Sequence, residues 1–501
     1  MKLLVANRGE IALRVMRSCR ELNIATVAVF SDPDRAALHV RYADEAVALG
    51  GDTSAESYLV IDKIIAAANS TGANAIHPGY GFLSENPEFA RRLLSEGIIL
   101  VGPSPEAMEA MGHKTRARDV MTAANVPVVP GSAGPVAGPD EALIEADEIG
   151  YPIMVKAAAG GGGKGMRRVA DAAALPAAFA AAQSEARNSF GDDRIYLERF
   201  LDKPRHIEVQ ILADSFGNCV HLFERECSIQ RRHQKIIEEA PSAFVDEEMR
   251  RRMGEVAVQA AKAVDYVGAG TVEFLCDAQR NFFFLEMNTR LQVEHPVTEW
   301  ITGLDLVAWQ IRIAEGEKLA FEQGDLSFKG HSVEARIYAE DPAAGFMPAP
   351  GTIEHLHVPS GPYVRVDSGV YAGSEVTPLY DPMISKLSVW AADRATAIAR
   401  LDRALAEYRV VGLTTNISFL RRALATEEFK SGDFDTSFVG SVIDGTAPVD
   451  EEFEPLAVWA AVADAFLRDQ ALEAQAVAGP PASSNSEVSA WRRYALLGSR
   501  S

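Results

Sequence analysis

The chain has 501 residues, 48% of them hydrophobic and 24% charged, a size and composition that lead us to expect about three soluble domains. Its 49 basic and 70 acidic residues give a net charge of −21, which disfavours nonspecific binding to nucleic acid or anionic lipid and requires a local basic site for any bound phosphate. No apolar run approaches the roughly 18 residues of a membrane span, and the N-terminus enters a strand without a leader pattern, so the cytoplasm is the expected compartment.

In residues 1–112, apolar strands at Leu3 to Ala6, Thr26 to Phe30, Glu45 to Leu49, Ala75 to Ile76 and Ile98 to Val101 alternate with helices such as Gly9 to Leu22, Tyr58 to Ala68 and Pro87 to Glu96. The alternation predicts a parallel sheet with flanking helices, a Rossmann-like α/β unit. Its first turn, Asn7-Arg8-Gly9-Glu10, lacks the GxGxxG of a dinucleotide site, so a nicotinamide enzyme is not expected.

A second segment, 113–330, opens with a helix from Lys114 to Ala124 and a Pro/Gly-rich stretch from Pro127 to Pro139. Within it, a strand Ile153 to Lys156, a glycine loop Ala157 to Gly165 and a helix Ala172 to Arg187 form a small unit suited to move as a lid. Strands follow at Ile207 to Leu212, Cys219 to Glu224, Thr271 to Leu275 and Phe282 to Met287, with helices Glu247 to Val264 and Leu304 to Glu315. Residues 331–445 read as a mixed α+β region with a helix Ala395 to Tyr408. The tail, 446–501, is a helical stretch Pro455 to Ala476, a Pro/Ser/Ala linker Val477 to Ser486 and a stub at Trp491 to Tyr494, as though the natural protein continued. The four cysteines, Cys19, Cys219, Cys227 and Cys276, show no CxxC spacing and are expected to be buried thiols.

Four stretches carry chemistry. Gly160 to Gly165, with Lys164 inside it, allows backbone N–H groups to approach phosphate oxygens, and Lys156 at the end of the preceding strand adds a point charge. It is not a Walker A loop, since Gly165 stands where Ser or Thr would bind magnesium. Glu273 and Glu286, on strands joined by a hairpin-like turn and followed by Asn288, match the hard oxygen ligands of magnesium. The run Glu226 to Glu239 holds four basic groups, counting His233, among glutamines and acids, which suits a small anion better than nucleic acid. His77, in a Gly/Pro loop, reads as a structural histidine.

The stretch Glu286 to Glu299 is the centre of the chain's chemistry. Period-2 alternation puts Glu286, Asn288, Arg290, Gln292 and Glu294 on one face and Met287, Leu291 and Val293 on the other. A solvated surface strand would favour Lys, Thr and Ser over this mixture of acids, amides and Arg.

Together these residues resemble biotin carboxylase, the ATP-grasp component of biotin-dependent carboxylases. The resemblance covers about residues 1–445. It rests on Asn7 to Ala12 (NRGEIA), His77 to Asn86 (HPGYGFLSEN), the glycine loop, Glu226 to Pro241, Glu286 to Glu299, Arg336 to Pro342 (RIYAEDP) and Tyr380 to Leu387 (YDPMISKL). It implies a Rossmann-like N-terminal domain (1–112), an ATP-grasp core (113–330) with a mobile glycine-loop lid at about 130–202, and a C-terminal α+β domain (331–445).

The resemblance further implies that ATP is held by Lys114, Lys156 and the backbone of Gly162 and Gly163. Its adenine would meet Glu198, Arg199, Phe200 and Leu201, with His206, Gln230 and His233 near the ribose. Glu273, Glu286 and Asn288 would bind magnesium, or manganese in its place. Bicarbonate would sit among Lys235, Arg290, Gln292 and the Val293 backbone, with Glu294 as general base. Arg336 would steady the biotin ureido oxygen. Because Val293 enters through its backbone, the segment is expected to leave strand geometry after about Arg290.

No Ala-Met-Lys-Met motif occurs, so biotin is expected on a separate carrier or on a missing C-terminal part. The RIYAEDP wording looks like the α subunit of an acyl-CoA carboxylase, which implies a biotin carboxyl carrier and a carboxyltransferase β subunit as partners, and a homo-oligomer is compatible with it. The rival readings are another bicarbonate-using or acyl-phosphate-forming ATP-grasp ligase and a catalytically silent assembly module.

Overall fold

The computed structural model describes residues 1–444 apart from 133, 158–165, 191 and 233, with the side chains at 114, 115, 189, 190 and 444 also outside the description. Gly162, Gly163, Lys164, His233, the Lys114 side chain and the whole expected tail therefore lie outside the described residues. Met1–Val442 forms one compact unit.

The N-terminal sheet is parallel throughout, in the order β3-β2-β1-β4-β5, from β1 (Lys2–Val5), β2 (Ala25–Phe30), β3 (Glu45–Ala48), β4 (Ala75–His77) and β5 (Ile99–Leu100). Leu3 and Val5 face one apolar cluster and Leu4 faces another, so the sheet is covered on both sides, as the continuous apolar strands require. The first and fourth strands end together. There the Asn7 amide donates to the Pro78 and Tyr80 carbonyls at 2.7 and 2.8 Å. Gly79 is needed at that point: its φ is +64°, and a Cβ would stand 2.8 Å from the Asn7 amide nitrogen. His77 is satisfied within the protein by the Gly79 amide and Gln310, and burial pushes its imidazole down to about 4, the structural role expected for it.

Three strands, β6 (Ile153–Ala157), β7 (Met166–Val169) and β8 (Ile195–Arg199), make a separate sheet in the order β7-β6-β8. It packs under the helices Pro139–Ile149 and Leu175–Phe190 around a small core of its own, centred on Ile153, Val155, Phe179 and Leu197.

The main sheet has eight antiparallel strands. Its order runs β13 (Phe282–Asn288), β12 (Gly268–Cys276), β9 (Arg205–Ala213), β10 (Cys219–Arg231), β11 (Gln234–Ala240), β14 (His331–Tyr338), then the strands Met383–Ala391 and Val364–Ser368. The β11–β14 pairing carries this sheet across position 330, so the ATP-grasp and C-terminal segments share one continuous set of hydrogen bonds. The helix Glu247–Lys262 covers one face of its first half, and Arg394–Glu407 covers one face of its second half. Among the described residues, no helix is long and apolar enough to cross a membrane. All four cysteines are free thiols; Cys219 differs from the expectation in being only partly buried.

Candidate active site

The site grows out of an unusual strand. β9 is buried along its whole length, yet it alternates Ile207, Val209 and Ile211 with His206, Glu208 and Gln210. A polar face inside the protein has to be paired. Arg225, fully buried on the adjacent β10, supplies the first partner: its guanidinium donates to Glu208 (2.5 Å), Gln210 (2.6 Å), Thr298 (2.9 Å) and Thr271 (3.0 Å).

The basic run Glu226 to Glu239 belongs to the β10–β11 hairpin, and its Lys235 points inward. Lys235 is 9% exposed, and its ammonium lies 2.5 Å from Glu208, 2.6 Å from Glu294, 2.9 Å from Glu273 and 3.0 Å from the Gln292 amide oxygen. An ammonium has three protons, so these four oxygens compete for it. On the far side of Glu294, Arg336 from β14 donates to its second oxygen at 2.9 Å and to Glu238 at 2.6 Å. Glu294 is thus a buried carboxylate with one cation on each oxygen.

Burial pushes the Glu294 carboxyl up, but Lys235, Arg336 and Arg225 outweigh it and hold the group well below the usual carboxylate range. The same contest keeps Glu273 low, through Lys235 and His206. Glu238 shows the other outcome: burial prevails over Arg336 and raises its carboxyl to about 7.

The segment after β13 departs from the strand sooner than expected. Extended pairing ends at Asn288, opposite Thr271, rather than after Arg290. The reason is a long-range contact: Glu85, from the N-terminal domain, accepts from the Thr289 amide at 3.0 Å and from Arg290 Nε at 2.8 Å, turning the chain away. Gln292 then reaches back to Glu273 at 2.8 Å, and Glu294 stands at the N-cap of the helix His295–Thr302. Alternation on one flat face therefore describes Glu286 and Asn288, whereas Arg290, Gln292 and Glu294 converge through a turn.

The expected metal ligands are neighbours in the structure. Glu273 and Glu286 are directly opposed partners across the β12–β13 hairpin, and Asn288 follows two residues on, bonded to Glu273 at 2.9 Å. This is an all-oxygen donor set of the kind a hard divalent cation takes. His206, expected near a ribose, lies 2.8 Å from Glu273, and the Gln230 amide lies 2.7 Å from the other nitrogen of its ring, so both are tied to the same carboxylate.

Of the expected nucleotide residues, Lys156, Glu198 and Arg199 lie on the small sheet. Lys156 is ion-paired with Glu198, which also accepts from Arg118 at 3.2 Å. The Arg199 and Phe200 amides donate to the Pro130 and Pro152 carbonyls at 2.7 and 2.9 Å.

The sequence reading missed Glu85, Glu208, Arg225 and Glu238 as site residues. Glu208 carried a legible signal, an acid alternating with isoleucines and valine in a strand. Glu85 carried none, because its partner Arg290 is 205 residues away.

The comparisons agree along the chain. Residues 1–108 match the family model for the biotin carboxylase N-terminal domain, 113–322 the carbamoyl-phosphate synthase L chain ATP-binding domain, and 334–441 the biotin carboxylase C-terminal domain. Biotin carboxylase of Nostoc sp. is 54% identical over 438 residues, covering 87% of this chain and 98% of the relative. The mitochondrial methylcrotonoyl-CoA carboxylase subunit alpha of Rattus norvegicus is also 54% identical over 87% of this chain, which spans 61% of that longer protein. Among solved structures, the biotin carboxylase domain dimer of Hydrogenobacter thermophilus 2-oxoglutarate carboxylase, in complex with MgADP, ADP and bicarbonate, superposes with a TM-score of 0.82 at 47% identity, covering 89% of this chain and 99% of that one. With three family models in order over most of its length and 54% identity over 438 residues to a relative it spans almost end to end, the chain belongs to the biotin carboxylase family.

Proposed function

We propose that the buried cluster around Glu294 is the bicarbonate and biotin end of the site, and that Lys156 and Glu198 mark its nucleotide end. As a biotin carboxylase, the chain catalyses the ATP- and bicarbonate-dependent carboxylation of biotin, the first half-reaction of biotin-dependent carboxylases. The observation that carries the residue assignment is the double grip on Glu294 by Lys235 and Arg336. It keeps a fully buried carboxylate charged, and hence able to accept a proton, next to two cations that can turn toward an anionic substrate.

In this reading bicarbonate binds to Lys235, Arg290, Gln292 and the Val293 N–H. One of its oxygens attacks the γ-phosphorus of ATP, ADP leaves, and Glu294 accepts the proton as that oxygen commits to phosphorus. Basicity at Glu294 rises as Lys235 and Arg336 shift their bonds to the incoming anion. Carboxyphosphate then separates into CO₂ and phosphate. The phosphate takes the N1′ proton of biotin, Arg336 offsets the charge on the ureido oxygen, and N1′ bonds to CO₂. Lys114, Lys156 and the backbone of Gly162 and Gly163 hold the ATP phosphates, with the small sheet closing as a lid that excludes water. Glu273, Glu286 and Asn288 would hold a magnesium or manganese ion, whose contribution is to neutralise phosphate charge.

Biotin would arrive on a carrier domain, and we read the chain as the α component of an acyl-CoA carboxylase with a carboxyltransferase β partner, acting in the cytoplasm as a homo-oligomer. The RIYAEDP segment and the identity to the methylcrotonoyl-CoA carboxylase subunit support that reading. ADP release by the full chain tests the whole: it should require bicarbonate and rise with free or carrier-borne biotin. Release that ignores biotin and instead follows ammonia or an amino acid would transfer the chain to another ATP-grasp chemistry.

A further inference from the structure

Three motifs named above supply no residue assigned a role in that chemistry, although Glu85 of the second holds Arg290: Asn7 to Ala12, His77 to Asn86 and Tyr380 to Leu387. They meet at one buried point. Lys386, in the strand Met383–Ala391, has a side chain with no solvent exposure, and its ammonium donates to the Val293 carbonyl at 2.7 Å. The same nitrogen lies 3.5 Å from Glu10 and 3.8 Å from Asp367. Glu10 accepts the hydroxyl of Tyr80, whose own backbone carbonyl is held by Asn7, and Asp367 is held by Arg365 at 2.8 Å.

A buried lysine needs counter-charge, and Glu10 and Asp367 supply it. Neither, however, is the nearest group. The shortest contact of the ammonium goes to a neutral peptide oxygen in the turn between Gln292 and Glu294. That oxygen belongs to the peptide joining Val293 to Glu294, so fixing it limits the backbone torsions of both residues. Rotation there would swing the Val293 N–H on one side and the Glu294 side chain on the other.

We propose that Lys386 is a positioning residue for bicarbonate, holding the Val293–Glu294 peptide so that the Val293 N–H and the Glu294 carboxylate face the same anion; this rests on the bicarbonate reading of the pocket. The carboxylates of Glu10 and Asp367 hold the ammonium on its mark from the N-terminal helix and from the strand Val364–Ser368.

The test uses the full chain, with K386M and the charge-balanced double variant K386M/E10Q, and reads bicarbonate and ATP saturation of biotin-stimulated ADP release. The expected result is a bicarbonate KM raised about tenfold or more and a kcat lowered about 10- to 100-fold, as for a reacting group displaced by about an ångström, with the ATP KM within about twofold. Unchanged bicarbonate kinetics in the double variant would overturn the proposal. So would equal losses toward ATP and bicarbonate, or failure of both variants to fold, since either makes Lys386 a structural residue. R290A run alongside separates the two readings: an unaffected bicarbonate KM in R290A sinks the pocket reading and this inference with it. A loss in R290A with normal kinetics in K386M/E10Q removes Lys386 alone.

Discussion

At the proposed bicarbonate end Lys235, Glu294 and Arg336 are 9%, 0% and 7% exposed, and each is fixed by at least two partners. At the nucleotide end the Lys156 and Glu198 side chains keep 25% and 14% of their exposure, and the ion pairs there come from one neighbouring strand and one helix of the 114–123 segment. The first set stands on the eight-stranded sheet and the second on a three-stranded sheet with its own small core. In the proposed reading, one end has its charges paired in place, whereas at the other a phosphate would have to take Lys156 away from Glu198. The lesson is energetic as much as geometric: removing one member of a buried network strands the remaining charges, while a half-buried pair open to solvent gives up less.

That contrast can be broken most forcefully at Glu294. E294Q should lower kcat for biotin-stimulated ADP release by about 10²- to 10⁴-fold, the range for a lost general base, with ATP binding by equilibrium dialysis intact; near-normal turnover would remove Glu294 from the chemistry. R290A should cost about 10²-fold in kcat with ATP still bound, and an unchanged rate would favour the silent-module alternative. At the open end K156Q should act differently, raising the ATP KM about tenfold with a smaller change in kcat, as expected for losing one charge-assisted contact. If K156Q instead abolished turnover at saturating ATP, the distinction between the two ends would fail.

The smallest effect concerns pH. Burial raises the Glu238 carboxyl from 4.5 to about 7, so the folded state binds its proton more tightly than the unfolded chain does. The stability this confers is present below 4.5 and is lost as pH rises through 7. E238Q cannot show that loss. Between about pH 5 and about pH 8 the Tm of the wild type minus that of E238Q should therefore fall, by roughly 2 °C or more. A difference that stays constant or grows would place the proton elsewhere.

Much of the framework was legible in the sequence because its signals are local. The apolar runs of β1, β2 and β3 lie within a residue or so of their observed bounds, and the opposition of Glu273 to Glu286 follows from a short hairpin. What stayed hidden is non-local. β10 was read only to Glu224, because the buried Arg225 and Glu226 that continue it look like a surface run until Glu208 and Ser242 are seen to pair them. The turn after Asn288 depends on Glu85, and the Val293 carbonyl on Lys386, partners 93 or more residues distant that no periodicity can announce.

The most direct measurement follows radiolabelled bicarbonate into biotin. With the full chain, ATP and a divalent cation, label should appear in acid-labile carboxybiotin in proportion to ADP released, and E294Q should abolish both together. ATP hydrolysis without label in biotin, or label transfer that survives E294Q, would contradict the account.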